Sequence, residues 1–166
     1  SGCGAQELYK GGFRVKQLRE VGFSAMQLRE AGLSIRELRE AGRFNASELY
    51  AIGVMATELR EGGYPLKQLK EQVGLSAEDL RVAGFSAEAL EDVGFTAKQL
   101  RQCGFPTEEM ARCGFSAEAL RAAGFTAVEL KDHLGMTAKE LRDGGYTMAE
   151  VKAAKFEPWQ YKALGT

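Results

Sequence analysis

At 166 residues the chain is long enough for one ordinary domain or one repeat array with a continuous core. Its 22 basic and 23 acidic residues leave a net charge of −1, which excludes a global attraction to nucleic acid or to an anionic membrane. No apolar run approaches the ~18–20 residues that span a bilayer, no signal segment opens the chain, and three cysteines are an odd and small number for a disulfide framework; a reducing, cytoplasmic setting is expected.

In chain order, Ser1-Gly2 reads as a cloning remnant, and a helical repeat array runs in phase from Cys3 to Lys155. The recurring phrase is Phe, Ser/Thr, Ala, x, Glu/Gln, Leu, Arg, Glu, Ala, Gly, clearest in the stretch from Cys113 to Lys131. Ser116 stands at a helix N-cap position, and Thr126 with Glu129 has the spacing of a capping box. Phe125 and Leu130 are placed as a hydrophobic staple. Gly124 stands at the left-handed residue just past a helix, with Leu120 and Phe125 placed for the contact of a Schellman closure. Each unit is thus a two-turn helix with both ends written in. Isolated helices shorter than about 12–15 residues are marginal, so the units must stack.

Sixteen such units are expected, closed by glycine at 12, 22, 32, 42, 53, 63, 74, 84, 94, 104, 114, 124, 135, 145 and 165, with Lys155 the exception. A leucine column runs through them, with Met110, Val151 and Tyr161 standing in. Three phase slips of one residue interrupt the array. Arg43 is read as a lengthened linker, whereas LKEQVG (69–74) and LKDHLG (130–135) are read as lengthened helices. This makes the fifth, seventh and thirteenth units the long ones, all odd, which hints at an even number of units per superhelical turn. Residues 156–166, with Pro158 at a helix start followed by Trp159 and Tyr161, read as a C-terminal capping repeat.

Period-two alternation is absent, and the interior positions hold helix formers, so strands are excluded. The chain therefore resembles the α-solenoid class of tandem-repeat proteins, in a short decapeptide form. The resemblance implies an all-α solenoid and a binding scaffold rather than a chemistry.

Candidate chemistry is sparse. His133 is the only histidine and sits near a helix C-terminus, where the dipole favours it. Cys103 and Cys113 occupy a place that elsewhere holds Ala or Val, and are read as core residues. No phosphate loop, nucleophile–base pair or metal-ligand cluster is legible; the expectation is a non-enzyme with no cofactor.

The most suggestive polar feature is a cation column at the seventh place: Arg19, Arg29, Arg39, Arg60, Arg81, Arg101, Arg121 and Arg142, with Lys70, Lys131, Lys152 and Lys162. One reading makes each helix charge-matched to itself, cations in its last turn and an acid at N3. The other aligns the column into an interaction ridge that grips an acidic peptide or phosphates. Acids at the neighbouring eighth place favour the first. Tyr9 and Tyr50 replace the cation in two units and are expected to be exposed aromatic anchors. The functional expectation is a scaffold for a protein or peptide segment; the alternative is a spacer that self-assembles end to end. Leu8 and Ala5 are expected to leave apolar surface at the N-terminal end, a self-association site.

Overall fold

Local signals close each helix as the repeat requires. Ser116 accepts a hydrogen bond from the Ala119 N–H at 3.2 Å. Thr126 and Glu129 form a full box, the hydroxyl accepting from the Glu129 N–H at 3.2 Å and the carboxylate from the Thr126 N–H at 2.7 Å. Gly124 is left-handed, with φ 89°. Beside it the Phe125 N–H reaches the Leu120 carbonyl at 3.0 Å, the Schellman closure. Where the cap residue has no suitable oxygen, half the box survives: Gln17 and Glu58 accept from the N–H groups of Arg14 and Met55.

The computed structural model describes residues 4–161, so Ser1-Gly2, read from the sequence as a cloning remnant, Cys3 and the last five residues of the expected capping repeat lie outside it. Among the described residues there are sixteen short helices and no strand. They fall into two compact units, Ser1–Gly84 and Phe85–Thr166. The first carries α1 (Ala5–Lys10), α2 (Val15–Glu20), α3 (Ala25–Glu30), α4 (Ile35–Glu40), α5 (Ala46–Ala51), α6 (Ala56–Glu61), α7 (Leu66–Gln68, continuing as a π-helical turn over Leu69–Val73) and α8 (Ala77–Val82). The second carries α9 (Ala87–Asp92), α10 (Ala97–Gln102), α11 (Thr107–Met110), α12 (Ala117–Ala122), α13 (Ala127–Leu134), α14 (Ala138–Asp143), α15 (Met148–Ala153) and α16 (Pro158–Tyr161).

Within each unit a helix packs on the second helix after it. In the first unit α1 meets α3, α3 meets α5, α4 meets α6, α5 meets α7 and α6 meets α8. In the second, the pairs run from α9 with α11 through to α14 with α16. Odd helices therefore stack on odd and even on even, in two columns. Small residues at the ninth place permit this approach. A Cβ on Gly62 would lie 2.5 Å from Ile35 Cγ2, and one on Gly144 would strike Ala117. The leucine column fills the interior: from Leu18 to Leu141 each is completely buried, and so are Met110 and Val151.

The phase slips fall as expected, in the linker at Arg43, where α4 keeps 6 residues, and in the helix at the other two, α13 having 8, and all three share one closing bond. In ordinary units the residue five after the leucine donates to its carbonyl, as Phe125 does to Leu120. In the three long ones the donor is six after it: Phe44 to Leu38, Leu75 to Leu69 and Met136 to Leu130, at 3.0–3.2 Å. The left-handed residue moves with it, to Arg43 (φ 57°), Gly74 and Gly135. Arg43 is the left-handed residue before Phe44 within the connection 41–45, one residue longer than 31–34 or 52–55, and Gly42 stays out of the left-handed region. The pairwise stacking that the odd numbering of the long units hinted at rests on the fit of the third place of one helix against the ninth place of the second after it.

Two tyrosines open units where phenylalanine is usual, and each has a polar task. Tyr64 OH donates to the Phe44 carbonyl and Tyr146 OH to the Phe125 carbonyl, both at 2.6 Å. Burial pushes both phenols up to about 12.

Candidate functional site

The cation column is built by the seventh place of the repeat, the residue directly after the buried leucine. Its side chains run along the stack and meet the units that follow. Arg19 donates to the Gly42 carbonyl, Arg39 to that of Gly63, and Arg60 to that of Ala83 at 3.0 Å. Lys131 donates to the carbonyls of Ala154 and Lys155 at 2.8 and 3.0 Å. Each acceptor closes the helix two units on, where carbonyls lack intrahelical partners.

The same groups cover the ring that opens the unit three ahead. Arg19 lies 4.0 Å from the centroid of Phe44, and Arg101 4.0 Å from that of Phe125. Arg39 covers Tyr64, Arg121 covers Tyr146 at 5.6 Å, and Lys131 covers Phe156. Three of them also pair with the N3 acid of that later helix: Arg19 with Glu48 (3.3 Å), Arg29 with Glu58 (2.6 Å) and Arg101 with Glu129 (3.5 Å). The N3 acid thus serves its own cap and a cation from three units earlier. Burial works against the Glu129 carboxylate, but the Thr126 N–H and hydroxyl, with Arg101 and His133 nearby, hold it below the usual range.

The residues named from the sequence are therefore brought into register, yet much of their bonding capacity is met inside the chain. Of the remaining two, Arg81 is exposed at the end of the first unit. Arg142 curls back to the Tyr146 carbonyl at 2.6 Å. Tyr9 differs from expectation: it is half-buried, and its hydroxyl donates to Glu37 at 2.9 Å. It thus replaces an arginine in the seventh-place-to-N3 bond instead of standing out as an anchor. Tyr50 is 45% exposed, as expected of an anchor. Leu8 is half-buried, whereas Ala5 is buried rather than exposed. His133 Nδ1 lies 3.3 Å from Glu108 Oε1 on α11. Cys113 is a buried thiol pushed up to about 11 by burial and by Glu91, Glu88, Glu109 and Asp92.

A groove that sequence reasoning missed lies in the second unit. It has a volume of about 690 Å³ and runs between α12, α13 and α15, with Phe125, Ala127, Val128 and Ala153 as apolar lining and Glu118, Arg121 and Glu150 at its margins. Val128 is 40% exposed there, at a fourth place that is polar in most units, and this was the available sequence signal.

No curated protein and no solved structure matches the chain. A family model described as "Decapeptide repeat region" matches residues 1–56, 36–106 and 94–166, overlapping across the whole sequence. The short helices of the described residues, at about ten-residue spacing and most with a capped start and a left-handed close, are the structural form of that repeat, and the chain belongs to the decapeptide repeat family.

Proposed function

We propose that the chain is a non-enzymatic repeat scaffold that holds a protein or peptide segment, with the groove between α12, α13 and α15 as its seat. The observation that carries this reading is the exposed Val128 beside the apolar Phe125, Ala127 and Ala153, bordered by the exposed carboxylates of Glu118 and Glu150. Apolar floors with a few convergent polar groups are the usual make-up of binding sites. Arg121, the cation at this margin, faces the Tyr146 ring, so the groove favours a segment with an apolar anchor and basic flanks over an acidic one. Panning phage-displayed random peptides on the full chain tests this. Selected peptides should enrich and should lose binding to Val128→Glu; absent enrichment, or binders indifferent to that change, would refute the reading.

The second reading, a spacer stacking end to end, is favoured by a separate observation. Phe13 is 47% exposed and Val21 71% exposed, at places that are covered in later units.

A further inference from the structure

In several units the aromatic residue that opens the unit lies under a seventh-place cation from three units earlier, whereas Phe105 and Phe115 have no such cation among the described residues. Phe44, Tyr64, Phe125, Tyr146 and Phe156 are covered in this way, and all are no more than 7% exposed. Phe13 and Phe23 open the second and third units, and among the described residues no cation lies over either. Phe13 is 47% exposed and Phe23 is half-buried.

The ninth place has a parallel contact, packing against the third place two helices earlier, as Gly62 does on Ile35 and Gly144 on Ala117. Val21 holds the ninth place of the second unit and is 71% exposed. Phe13, Val21 and Phe23 together therefore present the receiving half of the stacking contact.

The donating half is presented by α14 to α16. Lys152 on α15 is exposed, and among the described residues it meets no ring and no carboxylate. Arg142 on α14 is exposed and turns back onto its own closing loop. Met148, the third place of α15, is half-buried where earlier third places are mostly buried. Its missing neighbour would be a ninth-place residue.

We propose that the face bearing Phe13, Val21 and Phe23 receives the face bearing Met148, Lys152 and Pro158 of a second copy, so that copies associate head to tail. Lys152 of one copy then covers Phe13 of the next, and Val21 packs on the third place of α16 at Pro158, each by the contact that recurs inside the chain. The two faces are different, so the contact is heterologous and each copy is able to join two others. This deepens the end-to-end reading and is independent of the groove at Val128.

Sedimentation velocity of the full chain across a wide concentration range tests it with Phe13→Glu and Lys152→Glu. Both positions are exposed, so unchanged helical circular dichroism is expected; Phe13→Ala serves if Phe13→Glu loses helicity. Wild type should grow in mass with concentration, and each variant should weaken association by about tenfold or more. An equimolar mixture of the two variants retains one intact pair of faces, so it should recover association and stop at a dimer. Wild type that stays monomeric throughout overturns the proposal. So does a Lys152→Glu variant that associates like wild type, the mark of two N-terminal faces meeting each other, or a mixture that recovers nothing. A monomeric wild type that still binds peptides through Val128 leaves the scaffold reading standing and removes only the stacking.

Discussion

Glu91 accepts a hydrogen bond from the Gly114 N–H at 3.4 Å, which reverses the polarity of the contact that organises the rest of the array. At Arg19, Arg39, Arg60 and Lys131 the seventh place is a cation that donates to a carbonyl of the loop closing the helix two units on. At α9 it is an acid, and the corresponding loop, after α11, turns a peptide N–H toward it. Gly114 is correspondingly outside the left-handed region that most other closing glycines occupy. The helix before it is short, Thr107–Met110, and Cys113 folds inward with its N–H on the Met110 carbonyl.

The same glycine substitution should therefore differ sharply between two neighbouring units. Gly124→Ala places a Cβ at φ 89° and should cost about 1–2 kcal/mol. Gly114→Ala meets only the flexible Glu91 carboxylate at 3.7 Å and should change stability by less than about 0.5 kcal/mol. Urea unfolding of the two variants measures this, and equal losses would contradict the reversed loop.

Arg43 and Lys155 hold left-handed backbone at φ 57° and 50° without being glycine. Replacing either by glycine relieves that strain, so Arg43→Gly and Lys155→Gly should each stabilise by about 0.5–1 kcal/mol. A rise in denaturation midpoint is expected for both. A fall for Arg43→Gly would show that the left-handed backbone there stores no strain and that glycine only adds freedom to the unfolded chain.

Capping acids should make the array acid-labile. Glu140 and Glu150 are held below their ordinary value of 4.5, first by the N–H and then by the hydroxyl of Thr137 and Thr147. Glu37 is lowered by the Ser34 hydroxyl, then by the Ser34 N–H and the Tyr9 hydroxyl. With the folded value below the unfolded one, this stabilisation is complete above the unfolded value and is lost as pH falls through the folded value. Denaturation midpoints should therefore drop from about pH 5 downward, more steeply in wild type than in Glu140→Gln/Glu150→Gln. Identical slopes would show that these boxes do not titrate with folding.

Helix identity, length and both terminations were legible from residues alone, because caps, staples and closing glycines act within about one repeat of sequence. Ser116, Thr126 with Glu129, and Gly124 are local chemistry, and the folded chain uses them as the spacing requires. The ten-residue period and the buried leucine column belong to the same class. Tertiary structure alone decided where the seventh place points. On sequence grounds Arg19 and Arg101 belong to the ends of their own helices. In the fold their guanidinium groups meet rings and acids 24 to 29 residues ahead, because the helices stack two units apart. The role of Tyr9 was hidden for the same reason: a hydroxyl has no visible partner until α4 is set beside it. Which residue turns left-handed at the Arg43 slip was ambiguous locally, since Gly42 and Arg43 both precede Phe44. The length of the hydrogen-bonded turn between Leu38 and Phe44 settled it, and that turn is set by the packing of the buried Phe44.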